Sequence, residues 1–406
     1  MAGLASGLGH FALWDHWKAW QAQHRAALAV TAEDIRRVAS KYLVESALTV
    51  GWSLPRPGSP PSVVLLPFGV DNETPRPPTP VASAPTWNLV IPQAAPRLVN
   101  FRPRRSRLEN GLRILSERRP GCGTVSLDLY CDAGVLREQK SGVANLTGRL
   151  REEGTEHHSA EELAGLVEDV GGQLEVHATG VSLRVRAEDL PMAVEVLADL
   201  TLRPSFPSEA FEWTKKRISA EIHADRDDPS YRANLIFSHL IYGDHPYGRD
   251  PRGKRREVKA LTLEDVRTHH HRFFVPDHAH LVVVGDYDSN RLRGLLRKHL
   301  NRWKSIGSDL GALPRPTRST RPRIRRVSSP GEQVHVLLGH LGIARNHPDY
   351  HALTVLDYIL GTGPGFTDRL SRVLRDEMGL AYSVSGSIAE SADLVPGALR
   401  LYVGTS

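Results

Sequence analysis

The sequence predicts an α+β fold in which helices pack on an antiparallel sheet and the arrangement is repeated along the chain. Segments with alternating apolar residues pair as hairpins, as at residues 106–117, where an Asn-Gly turn separates two strands. Helical patterns follow these hairpins in runs, which favours α+β over a doubly wound parallel sheet. Residues 30–51 also parallel residues 261–285 at corresponding positions, which indicates an internal repeat.

The first part of the chain predicts helices followed by a linker. Residues 1–30 have a helical pattern, and Thr31 with Asp34 has the spacing that caps a second helix. A short strand then ends at Pro55. Residues 56–99 are rich in Pro, Ser and Ala and lack sustained periodicity, so we expect a partly extended linker there.

Residues 100–305 hold the longest run of predicted elements. Apolar residues alternate with polar ones over residues 123–134, which predicts a strand. Ser159 and Glu162 have the spacing of a capping box, which predicts the start of a helix. The remaining patterns predict a hairpin at 173–188, a strand at 280–286, and helices at 141–153, 190–204, 208–227, 230–241 and 262–274.

A second linker, rich in Arg and Pro, covers residues 306–326 and separates off residues 327–406. The last segment begins with an alternating pattern and continues with two helical ones. Its predicted strands lie at 333–342, 380–388 and 397–405, and its predicted helices at 347–361 and 367–379.

Composition excludes several classes of function. The net charge is +6, and the basic clusters have no aromatic residues interleaved, so we expect no nucleic-acid partner. No apolar run reaches the length of a membrane span. Residues 1–17 lack the basic start of a signal peptide, so we expect a cytoplasmic protein by default, and a periplasmic one if a signal peptide precedes Met1.

Two cysteines and a run of three histidines have plain structural interpretations. Cys122 and Cys131 are too few for a disulfide scaffold and are expected to be small core residues. His269, His270 and His271 occupy consecutive positions of a predicted helix and point in different directions, so we expect them on the surface.

Ordered sequence motifs carry a family resemblance over residues 100–305. The motifs are NGLRI at 110–114, SGVANLTGRLREEGT at 141–155, VEDVGGQLEV at 167–176, GDHPYGRDPRG at 243–253 and LTLEDVRTHHHRFFVPDHAHLVVVGD at 261–286. The chain resembles the insulinase/pitrilysin-type zinc metallopeptidases, which include the mitochondrial processing peptidases. The resemblance implies repeated insulinase-type domains, each an antiparallel sheet with helices packed on it.

This resemblance divides the chain into five segments. Residues 1–55 correspond to the tail of a preceding domain, and residues 56–99 and 306–326 are linkers. Residues 100–305 correspond to an N-terminal insulinase-type domain, and residues 327–406 to the start of a C-terminal one. We therefore expect a slice of a longer tandem protein, cut at both ends.

The helix predicted at 141–153 is where the sequence departs from the family. Active members carry His-x-x-Glu-His on this helix: the histidines bind zinc and the glutamate activates the metal-bound water. In the same register this chain has Asn145, Gly148 and Arg149. The third zinc ligand of the family corresponds to Glu221, which is retained. One carboxylate cannot hold zinc, so we expect no metal here and an ion pair between Arg149 and Glu221.

The resemblance also implies a substrate cleft. The stretch GPGFTDRLSRVLRDEMGLAYSVSGS, residues 363–387, resembles the part of the family that lines it, with Arg369 and Tyr382 as the substrate-binding residues. In the family, two such domains close around an unfolded peptide. Addition of the peptide to the edge of a sheet is the expected mode of binding.

Three hypotheses for function follow. The first is a non-catalytic subunit or segment that binds unfolded peptides and completes the cleft of a catalytic homologue or upstream copy, which would hold the zinc. The second is an active zinc metalloendopeptidase whose catalytic helix lies in an upstream copy. The third is a structural assembly subunit like the core proteins of respiratory complexes. We expect this segment itself to be inactive and to need no cofactor.

Overall fold

The computed structural model describes residues 103–405, except 306, 308, 318–322, 329–332 and 364–365, together with Thr31 and Glu33. The chain divides into two compact units, residues 1–95 and 96–406, and the elements below belong to the second. The two helices and the strand predicted within residues 1–55, and the linker predicted at 56–99, lie outside the described residues apart from Thr31 and Glu33.

The second unit contains nine strands and nine α-helices among the described residues. The strands are β1 (Arg104–Arg107), β2 (Arg113–Arg118), β3 (Thr124–Cys131), β4 (Gln173–His177), β5 (Gly180–Arg186), β6 (Ala279–Gly285), β7 (Val334–Leu341), β8 (Ser383–Ser387) and β9 (Ala398–Thr405). The helices are α1 (Val143–Arg151), α2 (Ala160–Glu168), α3 (Leu190–Leu202), α4 (Ser208–Ala224), α5 (Pro229–Tyr242), α6 (Arg255–Ala260), α7 (Leu263–Phe273), α8 (Ser289–Leu300) and α9 (Tyr350–Leu360). Ser371–Glu377 forms a π-helix.

The first sheet has six strands in the order β1-β2-β6-β3-β5-β4. The predicted α+β fold is confirmed, and the Asn-Gly turn joins β1 to β2 as an antiparallel hairpin. The sheet is mixed rather than wholly antiparallel, because β6 runs parallel to β2. This difference arises because β6 returns to the centre of the sheet after the long helical segment, and such a crossover can place it parallel to one neighbour and antiparallel to β3.

Two apolar cores hold this half together. One lies against the sheet, where the side chains of Val125, Leu127 and Leu129 on β3 are at most 1% exposed. The other joins α1 to α4 and α7, with Leu146 of α1 packed in the same cluster as Ile218 of α4. Because α1 is fixed between these helices, the side chains on its remaining faces are held in defined positions.

The second sheet has three strands in the order β7-β9-β8, all antiparallel. The same order relates β3, β5 and β4 in the first sheet, and in both halves helices separate the first strand from the next two. Phe237 of α5 lies close to Gly339 on β7, so the two halves contact each other within this unit.

Two helices of the structure were not predicted from the sequence. One is the short α6, and the other is α8, which begins after Asp288; the carboxylate of Asp288 accepts hydrogen bonds from the next backbone N–H groups. Leu292, Leu296 and Leu300 of α8 are buried, and their spacing by four would have predicted it. None of the helices among the described residues is long and apolar enough to span a bilayer.

Candidate functional site

The start of α1 is held against the loop at residues 250–253 by close backbone packing. Gly142 has a φ of 89°, which favours glycine, and a Cβ atom there would lie 2.4 Å from the carbonyl oxygen of Arg252. A backbone contact this tight leaves little freedom for α1 to shift along its axis. The three positions that correspond to the family's metal motif are therefore fixed relative to their surroundings.

Arg149 of α1 forms a two-pronged ion pair with Glu221 of α4. Nη1 donates to Oε1 at 2.7 Å and Nη2 donates to Oε2 at 2.8 Å. The side chains are 26% and 34% exposed, so the pair lies in a partly open depression. Parallel hydrogen bonds of this kind fix the orientation of both groups, and the predicted ion pair is confirmed.

Two further arginines lie near the same carboxylate. Arg217 Nε is 3.9 Å from Glu221 Oε1, and Arg252 Nη1 is 3.8 Å from Oε2. Arg252 also pairs with Asp225 at 2.6 Å and with Asp250 at 2.9 Å. The hydrogen bonds from Arg149, with the surrounding positive charge, hold the pKa of Glu221 below its usual value. The carboxylate is therefore ionised and already neutralised by protein cations.

Gly148 lies where α1 passes closest to the turn between β4 and β5. A Cβ atom at Gly148 would lie 2.7 Å from the backbone nitrogen of Ala178, 2.8 Å from its Cα and 3.0 Å from the carbonyl carbon of His177. All three are backbone atoms, which cannot move aside as a flexible side chain can. Position 148 therefore accepts glycine, and any larger residue requires the helix or the turn to shift.

Asn145 lies one helical turn before Arg149. Its side-chain Oδ1 atom is buried and has no hydrogen-bond partner. An amide oxygen, a guanidinium and one carboxylate do not match the histidine and carboxylate ligands that zinc requires. Among the described residues no group of three or more His, Cys, Asp or Glu side chains is arranged to hold a metal ion. The zinc implied by the resemblance therefore does not fit the residues present.

Arg151 shares the buried side of α1 and is fully buried. Its Nε donates to the carbonyl of Leu200 at 2.9 Å, and its Nη1 donates to the carbonyls of His177 and Gly180, both at 3.3 Å. The guanidinium also lies 4.3 Å from the ring centroid of Phe274. Burial lowers the pKa of Arg151 to about 10, so it remains a cation at neutral pH. It ties α1 to both ends of the β4–β5 turn.

The edge strand β4 borders a groove of about 610 Å³ between β4 and α2. Leu163 and Val167 of α2 supply apolar surface, and Leu174 of β4 faces them. Glu152 and Glu153, which follow α1, line the same groove. β4 is the last strand of its sheet, and at its outer edge the Glu152 carboxylate accepts a hydrogen bond from the backbone N–H of Val176.

Tyr382 in the second half is 82% exposed. The guanidinium of Arg375 lies 4.9 Å from its ring centroid and 3.9 Å from that of Phe366. Phe366 has a φ of 62°, an unusual value for a residue other than glycine. The structure thus brings Tyr382 together with Arg375. Arg369, the residue that the sequence paired with Tyr382, is exposed and lies six residues before Arg375.

The expectation of surface histidines at 269–271 is wrong for His269. Its side chain is buried, and its Nε2 donates to the carbonyl of Ala133 at 2.9 Å; burial lowers its pKa to about 4. His270 lies between Phe206 and Phe274 and contacts the carbonyl of Thr201 at 2.9 Å. α7 packs against α1, so two of its faces are covered, and consecutive positions can both be buried. Cys131 is buried as expected, whereas Cys122 is exposed.

Comparisons with known proteins identify the family to which this chain belongs. The family model for insulinase, peptidase family M16, matches residues 113–249, and the model for the peptidase M16 inactive domain matches residues 260–406. An uncharacterized zinc protease of Mycobacterium tuberculosis is 31% identical over 314 residues, a match that covers 74% of this chain and 69% of the relative. The chain belongs to the insulinase family.

More distant members of the insulinase family align over a similar extent. The mitochondrial-processing peptidase subunit beta of Saccharomyces cerevisiae is 26% identical over 310 residues, covering 71% of this chain and 64% of that protein. The crystal structure of a peptidase M16 inactive domain from Pseudomonas fluorescens superposes with a TM-score of 0.69 at 23% identity, covering 75% of this chain and 74% of that one. The latter comparison supports the fold alone.

Three features of this insulinase-family chain escaped the sequence analysis. The contact at Gly148 joins segments that are distant in sequence, so no local pattern reveals it. Arg375 was passed over in favour of Arg369, although both precede Tyr382 on a helical pattern. Arg151 could have been found, because it lies four residues after Thr147 on the buried face of α1, where an arginine is unusual.

Proposed function

We propose that this chain is a non-catalytic member of the insulinase family that binds extended peptides and completes the cleft of a zinc-bearing homologue. The observation that carries the proposal is the two-pronged ion pair between Arg149 and Glu221, which occupies two positions that correspond to metal ligands. A guanidinium that already neutralises the remaining carboxylate repels a dication from the same place. Zinc would then be held by the homologue or by another copy of the domain.

The absence of a general base supports the same proposal. Peptide hydrolysis on zinc needs a carboxylate beside the metal-bound water. Position 148, where the family resemblance expects that glutamate, is glycine, and backbone atoms of Ala178 fill the space next to it. Degeneracy at Asn145, Gly148 and Arg149 therefore removes metal binding and proton transfer together.

Peptide binding is supported by the edge strand β4 and its groove. An extended peptide added to β4 would be held by backbone hydrogen bonds, which require no particular sequence. Its side chains would alternate between solvent and the groove that Leu163, Val167 and Leu174 line. The groove volume of about 610 Å³ is large enough for a short peptide segment.

The cluster of Phe366, Arg375 and Tyr382 supports a second contact. Both rings are exposed, and the guanidinium between them holds them in place. Exposed aromatic side chains that are already ordered bind a partner with a small loss of conformational entropy. We propose that Tyr382 contacts the peptide and that Arg375 orients it, while Arg369 remains a proposed contact at the same end.

Pairing with a homologue is supported by the relatives. One relative is named as the beta subunit of a processing peptidase, so a member of this family functions as part of a larger enzyme. A chain that binds peptide without a metal is useful where a second chain supplies the catalytic helix. The proposed partner is therefore an insulinase-family protein with an intact His-x-x-Glu-His motif.

The test is peptide binding by the purified chain in buffer that contains EDTA. We expect a fluorescently labelled unfolded peptide to bind without being cleaved, and an N-methylated version of it to bind more weakly, because N-methylation removes strand hydrogen bonds. Tyr382→Ala should weaken binding about tenfold, as the loss of about 1.4 kcal/mol requires. Tyr130→Ala, at another exposed tyrosine, is the matched control and should leave binding unchanged.

Two results would contradict the proposal. Cleavage in zinc-containing buffer that EDTA abolishes would favour the active endopeptidase. Failure to bind any unfolded peptide, whether alone or mixed with an intact insulinase-family protein, would favour the structural assembly subunit.

A further inference from the structure

The six-stranded sheet ends in a different edge strand on each side, β1 on one and β4 on the other. The surroundings of these two strands carry opposite charges. We infer that β1 of one copy of this chain pairs with β4 of a second copy, so that the two sheets join head to tail. Such pairing needs no peptide, so it holds whether or not the chain binds peptides.

β1 is a short, basic strand with one free edge. All four residues of β1 (Arg104–Arg107) are exposed, and three of them are arginines. Neither Arg104 nor Arg105 forms an ion pair with any residue that the structure describes. Because backbone groups alternate along an antiparallel pair, those of Arg105 and Arg107 point away from β2 and are open to another strand.

β4 offers an acidic edge at the other end of the sheet. Glu153, Glu168 and Glu175 line the groove beside it. The side chain of Glu175 is 74% exposed, and neither Glu153 nor Glu168 forms an ion pair with a described residue. The outer edge of β4 includes the backbone N–H of Val176, which the Glu152 carboxylate holds.

Pairing of β1 with β4 brings the opposite charges together. The β1 of a second copy would lie along β4 as an added strand, held by backbone hydrogen bonds. Its arginines would lie beside Glu168 and Glu175, and opposite charges on neighbouring strands stabilise a sheet. An arriving guanidinium can also bind the carboxylate of Glu152, which then frees the N–H of Val176 for the added strand.

Charge disfavours the other two ways of joining these edges. Pairing of β1 with β1 would place arginines together, and pairing of β4 with β4 would place glutamates together; like charges on adjacent strands are destabilising. Head-to-tail pairing leaves one β1 and one β4 free in each assembly, so further copies can add. A contact through four residues is small, so we expect weak association that is strongest at high protein concentration and low salt.

Analytical ultracentrifugation of charge-reversed variants of the full chain tests the pairing. The mean mass of the wild type should rise with concentration and fall with added salt. The β1 variant, Arg104→Glu with Arg105→Glu, and the β4 variant, Glu168→Lys with Glu175→Lys, should each associate at least about tenfold more weakly. An equimolar mixture of the two variants should associate again, because each altered edge then meets an edge of opposite charge.

A matched control separates edge pairing from a general effect of charge. Arg291→Glu with Arg293→Glu, at two exposed arginines of α8, changes the net charge as much as the β1 variant does and should associate like the wild type. Should a double variant fail to fold, the single substitution Arg105→Glu or Glu175→Lys replaces it and should weaken association in the same direction.

Four results would overturn the inference. The first is a wild type that stays monomeric at every concentration, and the second is a β1 or β4 variant that associates as strongly as the wild type. The third is an α8 control that is weakened as much as the β1 variant. The fourth is a mixture of the β1 and β4 variants that associates no better than either one alone.

Discussion

α1 carries an arginine on each of two opposite faces, and the two arginines differ in exposure and in their hydrogen-bond partners. On the face toward α4, Arg149 is 26% exposed and has a carboxylate partner, Glu221. On the face toward the β4–β5 turn, Arg151 is fully buried, and its protein hydrogen-bond partners are carbonyl oxygens. We call the side of α1 that carries Arg149 the open face, because its ion pair is partly exposed. We call the side that carries Gly148 and Arg151 the closed face, because both residues are buried in close contact with the β4–β5 turn.

The difference teaches which side chains of α1 can be exchanged and which are fixed by packing. Exposed ion pairs contribute little to stability, so the Arg149–Glu221 pair can be exchanged without loss of the fold. Buried polar groups and backbone contacts contribute more, so Gly148 and Arg151 restrict what α1 can become. Under the proposed function, the charge of Arg149 disfavours a metal ion on one face, and the close packing at Gly148 leaves no room for a larger side chain on the other.

The largest expected effect is on the closed face, at Gly148. Gly148→Ala should lower the free energy of unfolding by about 3 kcal/mol, because the new methyl group overlaps backbone atoms of Ala178. Gly165→Ala on α2, where the added methyl meets nothing, should instead stabilise by about 0.5–1 kcal/mol through helix propensity. Urea denaturation measures both. Equal effects of the two substitutions would contradict the steric account.

Arg151→Met should also destabilise the closed face. The substitution keeps the apolar length of the side chain but leaves the carbonyls of Leu200, His177 and Gly180 without this donor. We expect a loss of about 2 kcal/mol in the free energy of unfolding. Arg149→Met, two residues earlier, is the matched control and should cost less. The account fails if the two substitutions have the same cost or if their order is reversed.

Acid should destabilise the fold through His269 of α7 before it breaks the pair of Arg149 and Glu221. His269 is buried in the neutral form, with its pKa lowered to about 4 by burial, whereas the unfolded chain protonates it near pH 6.5. Its contribution is complete above about pH 6.5 and is lost as the pH falls toward 4, so stability at pH 5 should be about 2 kcal/mol lower than at pH 8. Denaturation measured across this pH range should show a smaller decrease in stability in His269→Gln than in the wild type. An unchanged slope in that variant would contradict a buried neutral His269.

The smallest expected effect is on the open face. Glu221→Gln should cost about 1 kcal/mol, and high salt should reduce the difference, because the pair is partly exposed. The pKa of Glu221 is lowered, so its contribution is present above about pH 4.3 and is lost as the pH falls through the lower folded value. Wild type and variant should therefore converge in strong acid. A difference that persists there would show that Glu221 acts through packing rather than charge.

The sequence predicted much of the fold and the contact between Arg149 and Glu221. Alternation and caps located the strands and most helices, including the capping box at Ser159. Register alone placed Arg149 opposite Glu221, because a family motif fixes which helix positions face each other. The sequence could not predict the parallel pairing of β6 with β2 or the contact between Gly148 and Ala178. Both depend on how distant segments meet, which local periodicity does not encode.

The exposed aromatic cluster marks a further limit of the sequence. Tyr382 was predicted as a substrate contact together with Arg369, whereas the structure places the guanidinium of Arg375, on the π-helix at 371–377, against its ring. A sequence pattern read with the ordinary helical period cannot make this distinction.

Arg149 pairs with Glu221 at positions that correspond to the family's metal ligands, and the proposed function has this arginine in place of the metal. The most direct test is the zinc content of the purified wild-type chain, measured by inductively coupled plasma mass spectrometry after dialysis against micromolar zinc. The account predicts no stoichiometric zinc, and the same result for Glu221→Gln. About one tightly held zinc per chain in the wild type, lost in Glu221→Gln, would contradict it.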